Sequence, residues 1–268
     1  MVTKRLKKDR CISMVPSSSL PPPDEFTTVD DVVRMAIEDL YPNHKIPDED
    51  NHVRKGVQHK APDHLILDGK IAIERKSRNA TDNSQFYEKL QEVAAAQGKP
   101  FFTVGRINHS AVIRQLPDPD DAKRKATDFM MRQTMKTMRN SQKKFAEYGR
   151  YVPDPSRSSV LIISDNTTIL GSTGTAEYFI GRKMGAINPD DDQTPDIDAI
   201  VYIKNPLYTL DVSRSYWFKA LIRSAISQEK KLNVGIFVAA LHHRVGHYAP
   251  FFQAARNFKN CRFQPVQI

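Results

Sequence analysis

Apolar residues after Thr28 recur every three or four positions, which is the spacing of one face of an α-helix. The stripe consists of Val29, Val32, Val33, Ala36, Ile37 and Leu40. Thr28 and Asp31 stand three residues apart, as in a capping box. Tyr41-Pro42 follows the stripe and is typical of a helix end. The pattern therefore predicts a first helix that begins after Thr28 and ends near Tyr41.

Residues 61–76 contain two short apolar runs joined by Asp68-Gly69. An Asp-Gly pair between apolar runs favours a type I′ hairpin turn, because both central residues of that turn need a positive φ. A two-residue loop fixes the register and places Leu65 opposite Ala72. The pattern therefore predicts a tight antiparallel hairpin.

The same register gathers charged side chains at the end of the hairpin away from the turn. Asp63 pairs with Glu74, and Lys76 joins their face because side chains alternate along a strand. The positions around them are apolar on both faces, as in a buried strand, and buried charges rarely lack a partner or a role. Two carboxylates suit Mg²⁺, and a nearby lysine can orient or deprotonate a water. The alternative is a surface hairpin with an ordinary cross-strand Glu–Lys pair.

Further helices and strands follow from the pattern of apolar residues. Helices are predicted at residues 84–97, 175–184 and 213–230. Strands are predicted at the apolar runs 101–104, 160–163, 199–203 and 234–238. Alternating helix and strand signals predict an α/β fold with a mixed sheet flanked by helices.

Residues 121–148 are predicted to form one long basic helix, bounded by Pro119 and Gly149. Its basic residues fall within about 30° of one line on the helical wheel. They are Lys125, Arg132, Lys136, Arg139 and Lys143. The row is about 27 Å long at 1.5 Å per residue, a length over which duplex DNA presents several phosphates. These five are candidate nucleic-acid-binding residues, and the alternative is a solvated face of a helix that packs on the core.

The composition is that of a globular protein with excess positive charge. The 268 residues include 40 Lys and Arg against 31 Asp and Glu, which gives a formal charge of +9. A pI of about 9.4 favours polyanionic partners such as nucleic acid. Cys11 and Cys261 lie far apart, which excludes a disulfide framework and a zinc-ribbon spacing.

The sequence predicts no membrane partner. No apolar run approaches the roughly 18 residues that a spanning helix needs. The basic N-terminus lacks the apolar segment of a secretory signal. A cytoplasmic protein is therefore expected, or a nuclear one if the source is eukaryotic.

Pro62-Asp63 followed by Glu74-Arg75-Lys76 resembles the motif of the PD-(D/E)xK nuclease superfamily. The signals that follow, Ser84-Gln85 at the start of a helix and then Val104-Gly105-Arg106, are most similar to the VRR-NUC branch. The resemblance covers roughly residues 28–107. It implies a restriction-endonuclease-like mixed β-sheet core flanked by helices.

By that resemblance, Asp63 and Glu74 bind a metal ion, Mg²⁺ or Mn²⁺, together with the backbone carbonyl of Arg75. Lys76 is then the catalytic lysine, and Gln85 is a further catalytic residue. The implied reaction is hydrolysis of phosphodiester bonds that leaves 5′-phosphate ends. Family frequency and the basic row favour DNA over RNA, and cutting both strands often needs a homodimer.

Many members of the family carry a further acidic ligand on the first helix. Glu38 points nearly opposite the apolar stripe, and Asp39 flanks it. The third metal ligand therefore stays open.

The chain is predicted to have four regions. Residues 1–25 form a disordered basic tail rich in Pro and Ser, and residues 26–108 form the nuclease core. Residues 109–150 form the long basic helix, and residues 151–268 form a C-terminal α/β region whose strands could extend the same sheet.

Two other functions remain open. The first is a non-catalytic nucleic-acid-binding protein on a nuclease-like scaffold, which predicts salt-sensitive binding without cleavage. The second is an interaction protein whose methionine-rich helix packs on a partner.

Two further groups of residues are weaker candidates for metal binding. Asp196, Asp198 and Lys204 form a rival, less complete metal site. His44, His52 and His59 lie in a polar segment and are expected to be exposed to solvent.

Overall fold

A computed structural model of the chain describes residues 28–47, 61–78, 84–101, 109–166, 173–185, 190, 192–204 and 218–261. Its helices are α1 (Val29–Leu40), α2 (Ser84–Ala96), α3 (His109–Arg114), α4 (Pro119–Met130), α5 (Arg132–Tyr151), α6 (Thr173–Lys183) and α7 (Gln228–Cys261). Its strands are β1 (His64–Ile66), β2 (Ile71–Arg78), β3 (Ser158–Asp165), β4 (Ala199–Lys204) and β5 (Phe218–Ile222). The described residues therefore form a mixed α/β structure, as the sequence predicted.

The five strands form one sheet in the order β1-β2-β3-β4-β5. The outer pairs, β1–β2 and β4–β5, are antiparallel, whereas β2, β3 and β4 run parallel. Parallel neighbours need a crossover connection, and α2 to α5 lie between β2 and β3 in the chain. The predicted pairing of Leu65 with Ala72 is present in the β1–β2 hairpin.

The hairpin turn has Asp68 and Gly69 as its two central residues, as predicted. Asp68 and Gly69 have φ angles of 53° and 84°, the left-handed conformation that a type I′ turn requires. Leu67 also has a positive φ, of 51°. The main-chain N–H of Lys70 donates to the carbonyl of Leu67 at 3.1 Å, which closes the turn.

One face of the sheet packs on α1 and α7. The capping box between Thr28 and Asp31 is present, and the apolar stripe of α1 is buried except for Leu40 at its end, which is half-buried. The strands contribute alternate residues to this cluster, as the period of a strand requires. The strand residues are Ile66, Ile71, Ile73, Val160, Ile162, Ala199, Val201, Ile203 and Phe218.

The opposite face of the sheet packs on α5 and α6. The strands contribute Ala72, Leu161, Ile163, Ile200 and Tyr202, and the helices contribute residues such as Met135, Met138, Phe145, Phe179 and Ile180. The methionine-rich face of α5 is therefore part of the core. That face is occupied by the chain itself, so it gives no support to an interaction protein that binds a partner there.

The prediction of one long helix over residues 121–148 is wrong, because the helix is interrupted at Met131. The guanidinium of Arg78, at the end of β2, donates to the main-chain carbonyl of Met130 at 3.1 Å and to the hydroxyl of Thr134 at 3.3 Å. An arginine that binds the last carbonyls of a helix stabilises its C-terminus. Arg78 thus caps α4 and joins the start of α5 to the sheet.

Arg78 also belongs to a polar cluster at the carboxyl ends of β2, β3 and β4. Its guanidinium lies 3.7 Å from the carboxylate of Asp165, which also accepts a hydrogen bond from the Tyr202 hydroxyl. Lys204 is buried beside them, and its pKa is lowered by burial and by Arg78, against the effect of Asp165. The cluster places three charged groups at one end of the sheet.

The predicted strand at residues 234–238 is also wrong, because these residues lie within α7. Val234 and Phe237 are buried, whereas Ile236 is 55% exposed, which is the three-residue spacing of a helix face. A short continuous apolar run fits a buried strand and a helix equally well.

The other predicted elements have mixed outcomes. Residues 84–97, 175–184, 160–163 and 199–203 are confirmed as α2, α6, β3 and β4 within a few residues. The predicted helix at 213–230 is wrong at residues 218–222, which form β5, and residues 205–217 lie outside the described part. The predicted tail at 1–25 and most of the predicted strand at 101–104 also lie outside it.

Within the described ranges, no helix is a candidate for a membrane-spanning segment. None of them combines the length and the apolar composition that crossing a bilayer requires.

We expect Arg78→Met to lower the free energy of unfolding by about 3 kcal/mol, because it leaves the buried carboxylate of Asp165 without its guanidinium partner. Urea unfolding followed by circular dichroism measures the change. Lys89→Met is the control, because Lys89 and Glu92 form an exposed pair on α2 whose loss should cost less than about 0.5 kcal/mol. Equal losses in the two variants would contradict the role given to Arg78.

Candidate active site

Glu74 and Lys76 lie on the face of β2 that is covered by α5. Lys76 Nζ is 2.5 Å from Glu74 Oε1. The Glu74 side chain is 1% exposed, whereas that of Lys76 is 40% exposed. β2 therefore carries a buried carboxylate next to a lysine that reaches the surface.

Asp63 immediately precedes β1 and is held beside this pair by the main chain of β2. Its Oδ2 accepts a hydrogen bond of 2.7 Å from the main-chain N–H of Arg75. Arg75 lies between Glu74 and Lys76, so the bond fixes the position of the Asp63 carboxylate relative to both. The hairpin register brings Asp63 to this part of β2, and the hydrogen bond holds its carboxylate there.

Lys144 of α5 joins the two acids. Its Nζ lies 2.6 Å from Glu74 Oε2 and 3.2 Å from Asp63 Oδ1. These two oxygens are therefore less than about 6 Å apart, the greatest separation that contacts of 2.6 and 3.2 Å to one nitrogen allow. The structure thus brings Asp63, Glu74 and Lys76 into one cluster, and Lys144 completes it.

The two carboxylates have different acidities. Burial raises the pKa of Glu74, and the negative charge of Asp63 raises it further against the two lysines. Burial also opposes ionisation of Asp63, but the N–H of Arg75 and the ammonium of Lys144 outweigh it and lower the pKa of Asp63. Asp63 is therefore the more acidic member of the pair.

Lys144 remains positively charged within the cluster. Burial disfavours its ammonium, but hydrogen bonding to Glu74 and the charge of Asp63 outweigh burial and raise the pKa of Lys144. With both acids ionised, two carboxylates and two ammonium groups give the cluster no net charge.

Asp30 on α1 is a further acid close to the cluster. Its Oδ2 lies 3.0 Å from the guanidinium of Arg75, whose neighbours on β2 are Glu74 and Lys76. Burial raises the pKa of Asp30, and the negative charges of Asp31 and Asp63 add to this effect against Arg75. Asp30 is therefore joined through Arg75 to the strand that carries Glu74 and Lys76, on the side of β2 that faces α1.

The other acids near the end of α1 are directed elsewhere. Glu38 forms an ion pair of 3.1 Å with Arg34 one turn away. Asp39 accepts a hydrogen bond of 3.0 Å from the Tyr248 hydroxyl and lies 2.9 Å from the guanidinium of Arg244. Both therefore take part in surface or interhelical contacts.

The predicted basic row is divided between two helices. Lys125 lies on α4 and forms an ion pair of 2.7 Å with Asp121. The other four residues, Arg132, Lys136, Arg139 and Lys143, are exposed on α5. The straight row of about 27 Å is therefore wrong, and the part on α5 is about 17 Å long at 1.5 Å per residue.

The two remaining predicted residues lie on different elements. Arg75 lies on β2, where its main-chain N–H binds Asp63. Gln85 lies in the first turn of α2, and its side chain is outside the described part of the structure.

The rival metal site at Asp196, Asp198 and Lys204 is not assembled. Asp198 precedes β4, accepts a hydrogen bond from the main-chain N–H of Ser159 at 2.9 Å and lies 3.3 Å from Lys230. Lys204 is the last residue of β4, so the two are about 20 Å apart along the strand. Asp196 accepts a hydrogen bond from another side chain, on α5. The three residues therefore serve different contacts.

The hairpin cluster has the donor atoms for a magnesium-like ion. Within the described ranges, no three His, Cys, Asp or Glu side chains are grouped so that they could hold a metal ion by themselves. Mg²⁺ does not need such a group, since one or two carboxylates usually bind it together with water and phosphate. Asp63 and Glu74 already direct one oxygen each to a common cation, the Lys144 ammonium, so their placement fits this requirement.

The sequence alone did not identify Lys144 or Asp30 as parts of the site. Lys144 lies on the flank of the buried face of α5, next to Phe145 and three residues after Ser141. A lysine at the edge of an apolar stripe was the available signal. Its target lies 70 residues earlier in the chain, and this pairing has no local signature.

Comparisons of the chain with models of protein families, with curated proteins and with solved structures found no match.

Two histidines lie beside the cluster, on the α1 side of the sheet. The rings of His64 and His44 are 5.0 Å apart, and both ring nitrogens of His64 are buried without a hydrogen-bond partner among the described residues. Burial, with Arg75 and His44, lowers the pKa of His64 to about 4. The expectation that His44 is exposed is therefore wrong, since it is half-buried against His64.

We expect the folded protein to lose stability as the pH falls from 7 to 5. In this range the unfolded chain protonates His64, with a pKa of 6.5, but the folded chain does not. Linkage then favours unfolding at lower pH, and His64 contributes a loss of about 2 kcal/mol. Urea unfolding at several pH values measures it.

His64→Leu should remove that part of the pH dependence. His243→Leu is the matched control, because His243 is exposed on α7. A pH dependence that is the same in wild type and His64→Leu would contradict the assignment.

Proposed function

We propose that this protein is a metal-dependent nuclease of the PD-(D/E)xK type, which hydrolyses phosphodiester bonds of nucleic acid, with DNA favoured over RNA. The observation that carries the proposal is the convergence of Asp63 Oδ1 and Glu74 Oε2 on one cation, with Lys76 at the other oxygen of Glu74. This is the set of residues that the sequence motif selects.

Asp63 and Glu74 are the residues that would hold the metal, with the backbone carbonyl of Arg75 as the ligand that the family resemblance adds. When bound, Mg²⁺ or Mn²⁺ polarises the phosphoryl oxygen and lowers the pKa of water. The low pKa of Asp63 favours this role, because a ligand carboxylate must be ionised.

Lys76 is positioned to act on the attacking water or on the developing negative charge. Its side chain is 40% exposed, so its ammonium can reach a phosphate that approaches from solvent. Contact with Glu74 Oε1 at 2.5 Å limits the positions that this flexible side chain can adopt. A positioned ammonium stabilises the charge of a phosphoryl-transfer transition state without reorganisation.

Asp30 and Arg75 support the site from the other face of β2. Arg75 binds Asp30 through its guanidinium and Asp63 through its main-chain N–H. This arrangement links α1 to the residue that holds the first acid of the motif. The mixed sheet with helices on both faces supports a restriction-endonuclease-like core around these contacts.

The exposed basic residues of α5 support a nucleic-acid substrate. Lys143 directly precedes Lys144, the residue that contacts both acids, so one end of the basic row is adjacent to the cluster in the helix. A backbone lying along α5 would meet Arg132, Lys136, Arg139 and Lys143 before it reaches Lys76. Their combined charge attracts phosphate and orients the strand relative to the site.

One observation favours a second candidate function, nucleic-acid binding without catalysis. Lys144 places its ammonium between the oxygens that a catalytic metal would need. If this ammonium cannot be displaced, the protein keeps its basic surface but cannot cleave. Salt-sensitive binding with no cleavage in Mg²⁺ or Mn²⁺ would identify this function.

We expect Glu74→Gln and Lys76→Met each to lower the rate of DNA cleavage by about 10²–10⁴-fold, because each removes a group that acts at the reacting centre. Cleavage of plasmid DNA in Mg²⁺ or Mn²⁺, with and without EDTA, measures the effect, and RNA is assayed in parallel.

Glu92→Gln is the matched control, because Glu92 is 64% exposed on α2 and the substitution is chemically the same. Circular dichroism confirms that each variant is folded. Cleavage at the wild-type rate in both site variants, or full cleavage in EDTA, would reject the nuclease proposal.

The basic residues of α5 should determine how strongly binding depends on salt. Replacing Lys136 by Gln should reduce the slope of log K against log [salt] by about 0.9, if it contacts one phosphate. Lys125→Gln should leave the slope unchanged, because Lys125 is already paired with Asp121. Fluorescence anisotropy with labelled duplex DNA between low and moderate salt measures both slopes, and equal slopes for all proteins would exclude this face.

A further inference from the structure

Lys144 uses the carboxylate oxygens that are directed into the space between the two acids. Asp63 Oδ2 is held by the main-chain N–H of Arg75, and Glu74 Oε1 is held by Lys76. The remaining oxygens, Asp63 Oδ1 and Glu74 Oε2, both contact the Lys144 ammonium. One monovalent cation therefore bridges the pair at the position where a divalent cation would bind.

An ammonium and a divalent ion cannot share these two oxygens. Mg²⁺ binds carboxylate oxygens at about 2.1 Å. The ammonium lies 2.6 and 3.2 Å from the same atoms, so the two cations would be in direct repulsive contact. The long stem of lysine can rotate away, and the side chain is 15% exposed, which leaves a route out of the site.

We infer that Lys144 is an internal counter-ion that holds Asp63 and Glu74 together in the metal-free protein and must leave them when a divalent metal binds. The inference rests on the proposed metal site. It adds that Lys144 and the metal compete for the same two carboxylate oxygens. Lys144 lowers the affinity for metal, because each binding event replaces two ion pairs. It also keeps the two acids from repelling each other when no metal is bound.

The first test is Mn²⁺ binding to the full-length protein after removal of metal with EDTA, followed by isothermal titration calorimetry. Lys144→Gln should bind Mn²⁺ at least about tenfold more tightly than wild type, because the positive charge that competes with the metal is lost. Lys144→Arg retains the charge and should stay close to wild type. Arg150→Gln is the matched control, because it removes an exposed cation from the same helix.

The second test uses the wild-type protein and does not depend on the folding of a variant. Acetylation of lysines followed by mass spectrometry should find Lys144 protected in EDTA by its two ion pairs. Saturating Mn²⁺ should make Lys144 reactive, while a surface lysine such as Lys89 reacts equally in both conditions. Persistent protection of Lys144 in saturating Mn²⁺ would overturn the inference.

The outcomes separate this inference from the nuclease proposal. Tighter Mn²⁺ binding by Lys144→Gln without DNA cleavage by wild type supports the counter-ion and rejects the nuclease. Cleavage by wild type with equal or weaker Mn²⁺ binding by Lys144→Gln rejects the counter-ion and retains the nuclease. Failure of every protein to bind Mn²⁺ overturns the inference.

Discussion

The burial of the Glu74 carboxylate is the constraint on which the rest of the site depends. A buried carboxylate is stable only if cations or hydrogen bonds replace its lost water. Lys76 supplies one cation from the same strand, and Lys144 supplies the other from α5. Because the second cation comes from another layer, neutralisation of the acid requires α5 to pass over β2 at this point.

The helices between β2 and β3 are packed so that α5 brings Lys144 to Glu74. Arg78 at the end of β2 caps α4 and contacts the first turn of α5, so the strand that carries Glu74 also contacts the start of the helix that neutralises it. The buried methionines of α5 can pack against the sheet without a closely matching surface, since methionine adapts to irregular gaps. The same helix, α5, therefore contributes both to the charged cluster and to the apolar layer on the sheet.

Much of the local structure could be predicted from the sequence, and the long-range contacts could not. The hairpin register followed from Asp68-Gly69, and α1 followed from its stripe and cap, because both signals lie within a few residues. The interruption of the helix at Met131 has no glycine or proline to mark it, and the residue that binds there, Arg78, lies about 50 residues earlier. The contact of Lys144 with Glu74 is equally remote, so only the folded chain reveals it.

The placement of α5 between β2 and β3 in the chain has a consequence for the order of assembly. β2 has no parallel neighbour until residues 158–165 have been synthesised, and Lys144 belongs to the same late segment. The entropy of closing this crossover is lost before any contact between β2 and β3 compensates for it, which is typical of slow folding. A nascent chain that has just emerged with the hairpin therefore carries two acids that have not yet been neutralised from α5, and the complete charge balance comes into being only once the central strands have joined.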